Sequence, residues 1–463
     1  MSFFPNPAFL YKWFNQSRVF DKRYNFNSEE LKEYQDKSFK KIIEYSQKTT
    51  LYKDKYKKIN IDNINKIEDV KKLPFVSKQD LRDYGTKGTV PSDFNFKKGY
   101  KVDTSGSTGK PVSIYRDNDA IITEFAIASR IMKTHNLNPR KTRVTNVGDF
   151  SIPNSYDEEV TIRGLYKHMG FLSKIIMKNV QNIYAGEDVK QILKKMDWFK
   201  PDFVIAYPST LIGLMLLRNE GNGVNINPKY IASSGGVLDN YTKKQIENAF
   251  DTKIFDFYAG TESGGIGFEC LEGNYHVESD LVYIEAIDKN MKNVAPGKPG
   301  HLVVTRFFGG GTPIIRYTGM DDIITLKDET CSCGWNTQLL EKVQGRSSDT
   351  IVLPDGRFFP PATFTLIPGE VAQDTGVDII KRFQIIQHKK DNIEILVVIN
   401  DKFRESVPSV EKILTEIKNR YQKVVGDKVN IEVKEVDKIK QKSSSGISPS
   451  SIVISHVDKK DWL

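Results

Sequence analysis

The stretch YIASSGGVLDNYTKKQIENAFDTKIFDFYAG, residues 230–260, decides the fold class. Its two apolar runs, YIASSGG and KIFDFYAG, are each typical of a short strand that enters a glycine-bearing loop, and NYTKKQIENAF between them has helical spacing. The same alternation occurs upstream in VTNVG, VKQILKKMDWF and DFVIAY. Strands alternating with helices predict an α/β fold with a largely parallel sheet. Ligands of such sheets bind in the loops beyond the carboxyl ends of the strands.

The pattern changes twice toward the C-terminus. From 281 to 326 the chain is more purely β, in LVYIEAID, HLVVTRF, PIIRYTG and DIITL. After residue 350, FQIIQHKKDNIEILVVI predicts two strands, VPSVEKILTEIKNRYQKVV a helix and NIEVKEV a further strand. We therefore predict a large N-terminal domain, residues 1–345, with mixed, mostly parallel sheets and flanking helices. A small α+β C-terminal domain, residues 346–463, follows on a hinge.

Composition excludes several classes of protein. The chain has 463 residues and a net charge of +9, but its lysines are scattered and no basic run is interleaved with aromatics, so we expect no nucleic-acid partner. No apolar run approaches the ~20 residues that a membrane span needs. No secretory signal is visible, and three cysteines do not make a disulfide framework, so we expect a cytoplasmic protein.

The run DTSGSTGKPVSIYRD, residues 103–117, predicts a phosphate-binding loop. It is not a Walker loop, because Pro111 follows Gly109-Lys110 and the position of the first glycine is a threonine. Its hydroxyl groups and flexible backbone can still converge on an anion, although such a run is also typical of a plain surface loop. The candidate phosphate ligands are Thr104, Ser105, Gly106, Ser107, Thr108 and Gly109, and Lys110 is a catalytic candidate.

Four motifs occur in a set order: TSGSTGKP (104–111), DFYAGTESG (256–264), IIRYTGMDD (314–322) and VQGRSSD (343–349). Together they resemble the motifs of adenylate-forming enzymes, the superfamily of acyl-CoA synthetases, luciferases and peptide-synthetase adenylation domains. LYKDKYKK, LPFVSKQDLR and AYPSTL are similar to the phenylacetate–CoA ligase branch, including its CapK-like members associated with capsular polysaccharide. The resemblance runs from about residue 30 to the C-terminus.

The resemblance implies an ATP or AMP site. Tyr258 would stack on adenine, Asp321 would accept the ribose hydroxyls and Arg346 would donate to ribose or phosphate. The alternatives are a core aromatic for Tyr258 and a local ion pair between Arg346 and Asp349. The remaining nucleotide-binding candidates are Ser234, Gly235, Gly236, Asp256, Ala259 and Gly260.

Thr261 and Glu262 are the catalytic candidates of the second motif. Thr261 can offer its hydroxyl to the α-phosphate, and Glu262 offers a hard oxygen ligand for Mg²⁺. A solvated loop glutamate is the alternative interpretation of Glu262. The acid substrate would lie near Asp149, Phe150 and Tyr207, for which core packing is the alternative.

All three cysteines have one joint interpretation. Cys270, Cys331 and Cys333 with His276 make a Cys₃His set for structural Zn²⁺, two ligands from each of two loops. Buried inert thiols are the alternative. The resemblance points the same way, since some members of the branch carry such residues around zinc.

The resemblance implies a two-step reaction. A carboxylic acid and ATP would give acyl-AMP and pyrophosphate, and a thiol such as CoA, an amine or a hydroxyl would then take the acyl group, with a homodimer as a further implication. The family's late motif carries a catalytic lysine, but this chain has Ser445-Gly446-Ile447, which leaves Lys442 as a substitute candidate. Two alternatives stay open: an ester or amide synthase that uses no CoA, and a degenerate nucleotide-binding protein.

Overall fold

The computed structural model describes residues 4–103, 112–148, 150, 157–346, 349–359, 361–377, 379–407, 409–439 and 452–457. The N-terminal part is helical and ends in a hairpin. Its elements are α1 (Pro7–Arg23), α2 (Ser28–Ser46), α3 (Thr50–Lys55), α4 (Lys78–Thr89), β1 (Tyr100–Asp103), β2 (Ser113–Arg116) and α5 (Asn118–Thr134). β1 and β2 pair antiparallel, with Asp103 opposite Ser113. The predicted phosphate loop therefore connects two paired strands.

A mixed sheet of eleven described strands forms the centre of the large domain. Its parallel half contains β3 (Val144–Gly148), β4 (Val180–Tyr184), β5 (Phe203–Ala206), β6 (Tyr230–Ser234) and β7 (Lys253–Gly260). The connecting helices are α6 (Asp157–Met169), α7 (Leu172–Ile176), α8 (Val189–Phe199), α9 (Pro208–Asn219) and α10 (Asn240–Phe250). β6, α10 and β7 are the strand–helix–strand unit of the opening stretch, and the α/β prediction is confirmed.

The other half of the sheet is antiparallel. It contains β8 (Gly264–Glu269), β9 (Tyr275–Val277), β10 (Val282–Ile287), β11 (Pro299–Arg306), β12 (Asp322–Lys327) and β13 (Leu339–Arg346). The strand order of the whole sheet is β10-β11-β12-β13-β9-β8-β7-β6-β5-β3-β4. The purely β pattern after residue 281 is thus confirmed for three of its four runs.

The fourth run, PIIRYTG, is not a regular strand. Tyr317 makes only isolated bridges, to Val76 and Val304. Arg316 has a positive φ of 50°, which breaks the extended backbone, and its guanidinium binds Glu285 in the core at 3.1 Å. The buried ion pair therefore sets the local conformation where the apolar pattern predicted a strand.

A separate α+β domain lies at the C-terminus, as predicted. Its described elements are β14 (Ile351–Val352), β15 (Phe358–Phe359), α11 (Pro361–Phe364), α12 (Leu366–Thr375), β16 (Ile380–Lys389), β17 (Asn392–Ile399), α13 (Val410–Val425), β18 (Asn430–Glu435) and β19 (Val453–Ser455). Strands β18-β17-β16-β19 form one sheet, and Ile385, Ile395 and Tyr421 belong to a second hydrophobic core, which Tyr241 of α10 also joins. The boundary at residue 345 and the hinge stay predictions.

Within the described residues, no helix combines the length and the apolar character that crossing a bilayer requires.

Replacing Arg130 with alanine is expected to destabilise the large domain by about 3–5 kcal/mol, because the buried Glu278 carboxylate loses its ion-pair partner and Asp280 keeps only Arg23, at 3.3 Å. The Arg130 guanidinium on α5 pairs with Glu278 and, at 2.8 Å, with Asp280. All three side chains are buried. Urea unfolding measures the loss. Lys12→Ala, which breaks an exposed pair with Asp119, is the matched control and should cost about 0–1 kcal/mol; equal losses would contradict the prediction.

Candidate active site

A cleft of about 840 Å³ opens at the carboxyl ends of β3, β5, β6 and β7. This is the edge of a parallel sheet where ligands bind in α/β folds. The opposite wall comes from the small domain and includes residues of β16. The cleft is therefore shared between the two domains.

The described residues that the sequence singled out for nucleotide and substrate meet in this one cleft. Those that line it are Phe150, Tyr207, Ser234, Gly235, Gly236, Asp256, Tyr258, Ala259, Gly260, Thr261, Glu262 and Asp321. Thr104, Ser105, Gly106, Ser107, Thr108, Gly109, Lys110, Asp149 and Lys442 lie outside the described residues. Arg346 ends β13, and its side chain also lies outside the described part.

Gly235 fits the loop after β6 against an aromatic ring. Its φ of +75° is one that side-chain-bearing residues rarely adopt, and an added Cβ would lie 2.7 Å from the ring of Tyr207. Glycine therefore lets Tyr207 lie directly on the loop proposed for adenine. The two predicted subsites, acyl and adenine, are in contact here.

Tyr258 links the two halves of the sheet across the cleft. Its hydroxyl donates a hydrogen bond of 2.5 Å to Asp322 Oδ2 at the start of β12. Asp321, which precedes it, has a positive φ of 60°. The sequence motif named only Asp321, and the structure adds Asp322 to the cleft; the doubled aspartate in the motif was the available signal.

Glu262 is held at the end of β7 by buried hydrogen bonds. It is only 5% exposed, and the hydroxyl of Tyr317 donates 2.8 Å to its carboxylate. Its carbonyl oxygen accepts from Arg306 at 2.8 Å, and that of Thr261 accepts from Arg116 at 2.5 Å. The alternative of a solvated loop glutamate is wrong. A buried carboxylate that lines the cleft is a suitable hard oxygen ligand for Mg²⁺.

Two further acidic residues, Asp256 and Glu269, line the cleft beside Lys243. Lys243 Nζ lies 2.7 Å from Glu269 Oε2, and the same oxygen accepts 2.9 Å from the backbone N–H of Asp256. Burial, and then the Glu269 carboxylate, raise the pKa of Asp256 to about 7. Lys243 and Glu269 carried no motif signal.

The three cysteines and His276 form a cluster apart from the cleft. One ligand atom from each lies within 4.8 Å of the others. Cys333 Sγ is 3.3 Å from His276 Nε2, and Cys270 Sγ is 3.7 Å from Cys331 Sγ. Burial lowers the pKa of His276 to about 4, which keeps the imidazole neutral. Three thiols and one neutral imidazole fit tetrahedral Zn²⁺.

The other nitrogen of His276 is also fixed. His276 Nδ1 lies 3.0 Å from Thr337 Oγ1, and the ring stacks on Trp335. A partner on the second nitrogen orients a histidine ligand toward its metal. The predicted residues are thus assembled, and the zinc itself stays a proposal.

Known proteins resemble this chain in sequence. The CapK C-terminal domain model matches residues 371–449. The phenylacetate–coenzyme A ligase of Thermus thermophilus is 23% identical over 438 residues, covering 88% of this chain and 92% of that protein. The enzyme of the same name from Aromatoleum evansii is 26% identical over 323 residues, covering 67% of this chain and 68% of that protein. The resemblance inferred from the motifs is confirmed.

Solved structures share the fold. A 2-hydroxyisobutyryl-CoA ligase in the postadenylation state, in complex with 2-HIB-AMP, superposes with a TM-score of 0.76 at 19% identity, covering 91% of this chain and 90% of that chain. An anthranilate CoA ligase in complex with anthranoyl-AMP gives a TM-score of 0.52 at 11% identity, covering 75% of this chain and 65% of that chain. The fold of this chain is therefore one that these two ligases have.

Proposed function

Because this chain is a homologue of the phenylacetate–coenzyme A ligases and carries a CapK C-terminal domain, we propose that it is an adenylate-forming ligase. It activates a carboxylic acid with ATP and passes the acyl group to CoA or another nucleophile. One observation carries the proposal: residues from two separate motifs, Tyr258 and Glu262 of one and Asp321 of the other, line a single cleft at the carboxyl edge of the sheet.

In the first step a carboxylate oxygen of the acid attacks the α-phosphorus of ATP. The bond between the α-phosphorus and its bridging oxygen breaks, pyrophosphate leaves and acyl-AMP remains. The protein contributes mainly by positioning the two substrates and by stabilising the charge that develops in the transition state. Tyr258 packs against the base, Asp321 accepts the ribose hydroxyls, and Thr261 donates its hydroxyl to the α-phosphate.

Glu262 is the residue that would hold Mg²⁺. When bound, the ion neutralises negative charge on the triphosphate. The protein's own contribution is to orient the carboxylate, through the hydrogen bond from Tyr317 and the bond that the Arg306 guanidinium donates to the backbone carbonyl of Glu262.

In the second step a thiol, amine or hydroxyl attacks the acyl carbonyl and AMP leaves. The acceptor has to reach the carbonyl from outside the cleft, part of whose wall belongs to the small domain. A rotation of that domain about the predicted hinge near residue 345 would open such a path.

A second candidate is a nucleotide-binding protein without adenylation. Ile447 favours it, because this position should carry the lysine that bridges carboxylate and phosphate. An ester or amide synthase that uses no CoA shares the first step with the leading candidate and differs only in the acceptor.

Pyrophosphate release separates these functions. The full chain is incubated with ATP, Mg²⁺ and a panel of aryl, fatty and amino acids, with hydroxylamine to trap acyl-AMP. A signal with one class of acid supports adenylation, and dependence of product release on CoA supports the ligase. ATP binding without pyrophosphate release across the panel would support the degenerate protein instead. Sedimentation of the same sample tests the expected homodimer.

A further inference from the structure

Arg382 projects from the small domain toward the cleft. It lies on β16, where Phe383 and Ile385 belong to the core of the small domain. Arg382 and Gln384 line the cleft together with their strand neighbours Lys381 and Phe383. The wall that faces the large domain therefore carries a guanidinium.

No carboxylate of the described residues forms an ion pair with this guanidinium. Arg116 and Lys243, two cations on the other wall, differ in this respect, because Glu124 lies 3.5 Å from the first and Glu269 lies 2.7 Å from the second. Arg382 is half-buried, and its loss of hydration lowers its pKa. A cation that leaves water without a counter-charge is costly unless a ligand compensates it.

The described residues that the small domain contributes to the cleft carry more positive than negative charge. Lys381 and Arg382 of β16 line it, and Asp349 is the one acidic residue of this domain among the described lining residues. This part of the wall is therefore suited to an anion.

We propose that Arg382 is a catalytic residue that binds a phosphate of the nucleotide from the small domain, in place of the lysine that Ile447 replaces. The inference rests on the proposed function, since the anion is that of ATP and then of acyl-AMP. A guanidinium presents parallel N–H donors that match two phosphate oxygens. Negative charge builds at the α-phosphorus as the carboxylate oxygen attacks, and the charged donors of Arg382 stabilise it without any proton changing place.

The phosphate is a better partner than the acid substrate. A carboxylic acid brings one negative charge into the cleft, whereas ATP brings several. Glu262 and Asp321 also line the cleft, so bound ATP needs nearby cations to offset the total negative charge. Besides Lys243, which pairs with Glu269, three lysines line the cleft and can share the triphosphate charge: Lys78, Lys342 and Lys381. Arg382 differs from them in its planar, two-pronged geometry.

Arg382→Gln tests the proposal in the full-length protein. Calorimetry with ATP, AMP and adenosine is expected to show ATP and AMP affinities lower by roughly 10- to 100-fold, which is the range for a lost charged hydrogen bond, with adenosine affinity unchanged. The rate of pyrophosphate release should fall about a hundredfold. Arg382→Lys keeps the charge and should recover part of both effects.

Arg404→Gln is the matched control. Arg404 is an exposed arginine of the same domain that pairs with Asp401 at 3.1 Å and does not line the cleft. Its variant should bind and react as the wild type does, and thermal melts of both variants check folding. Unchanged ATP and AMP affinities in Arg382→Gln would overturn the proposal.

The same measurements separate this inference from the proposed function. Nucleotide binding that depends on Arg382 but yields no pyrophosphate with any acid would leave the phosphate contact intact and refute adenylation. Pyrophosphate release that is as fast in Arg382→Gln as in the wild type would support adenylation and refute the role of Arg382. A wild-type chain that binds neither ATP nor AMP would refute both.

Discussion

Glu262→Gln is expected to slow pyrophosphate release by about a hundredfold to a thousandfold, the range seen when one charge-stabilising group is removed from an active site. Glutamine keeps the size of the side chain and still accepts the hydrogen bond that Tyr317 donates at 2.8 Å. Only the negative charge is lost. The folded state should therefore persist while the affinity for Mg²⁺ falls. Initial rates over a Mg²⁺ titration should show a higher metal requirement and a lower maximum.

Two further variants separate the charge from the hydrogen bond. Tyr317→Phe removes the donor and keeps the carboxylate, so its main effect should be a stability loss of about 1 kcal/mol. Glu220→Gln, at an exposed glutamate after α9, controls for the change in net charge. If Glu262→Gln retained the wild-type rate and Mg²⁺ dependence, Glu262 would hold no metal. If Tyr317→Phe lost as much activity as Glu262→Gln, the loss in Glu262→Gln would come from disturbed packing and not from the missing charge.

Cys333→Ser is expected to remove one zinc ion per chain and to destabilise the large domain by several kcal/mol. Structural zinc supplies about 10–16 kcal/mol in zinc-finger peptides, and the loss here is smaller because the domain has a large apolar core of its own. Burial raises the pKa of the Cys333 thiol to about 12, so its thiolate forms only beside a cation. Elemental analysis measures the zinc, and urea unfolding measures the stability.

The metal has a signature that a packing defect lacks. Replacement of zinc by Co²⁺ gives a thiolate-to-cobalt absorption band, which should be present in the wild type and altered in Cys333→Ser. His388→Gln, an exposed histidine outside the cluster, should keep both the band and the stability. Purified wild-type protein that contained no zinc and gave no cobalt band would leave the cluster as buried thiols.

Local sequence patterns were sufficient to predict secondary structure where the conformation depends on residues close together in the chain. The strand–helix–strand unit around α10 and the glycine loop after β6 follow from periodicity and turn chemistry within 31 residues. The motif residues at the end of β7 line the cleft because the carboxyl ends of parallel strands share one edge, and their roles stay predictions. PIIRYTG was misassigned because the Arg316–Glu285 pair joins residues that lie far apart along the chain.

The parts of the site that were missed depend on contacts between distant segments. Asp322 is part of the cleft wall because β12 lies across the sheet from β7, and Arg382 because a second domain faces that edge. No spacing rule relates residues 60 or more positions apart. The roles of the phosphate loop, Lys442 and Arg346 stay predictions.

The shared cleft has a thermodynamic consequence. Each domain has its own core, so the two can in principle unfold in separate transitions. A ligand that touches both walls binds only the docked pair and stabilises it by RT ln(1 + [L]/Kd), about 2.7 kcal/mol at a hundredfold excess over Kd. The two domains should therefore unfold more cooperatively as the nucleotide concentration rises. At saturating ATP, two calorimetric unfolding transitions should merge into one.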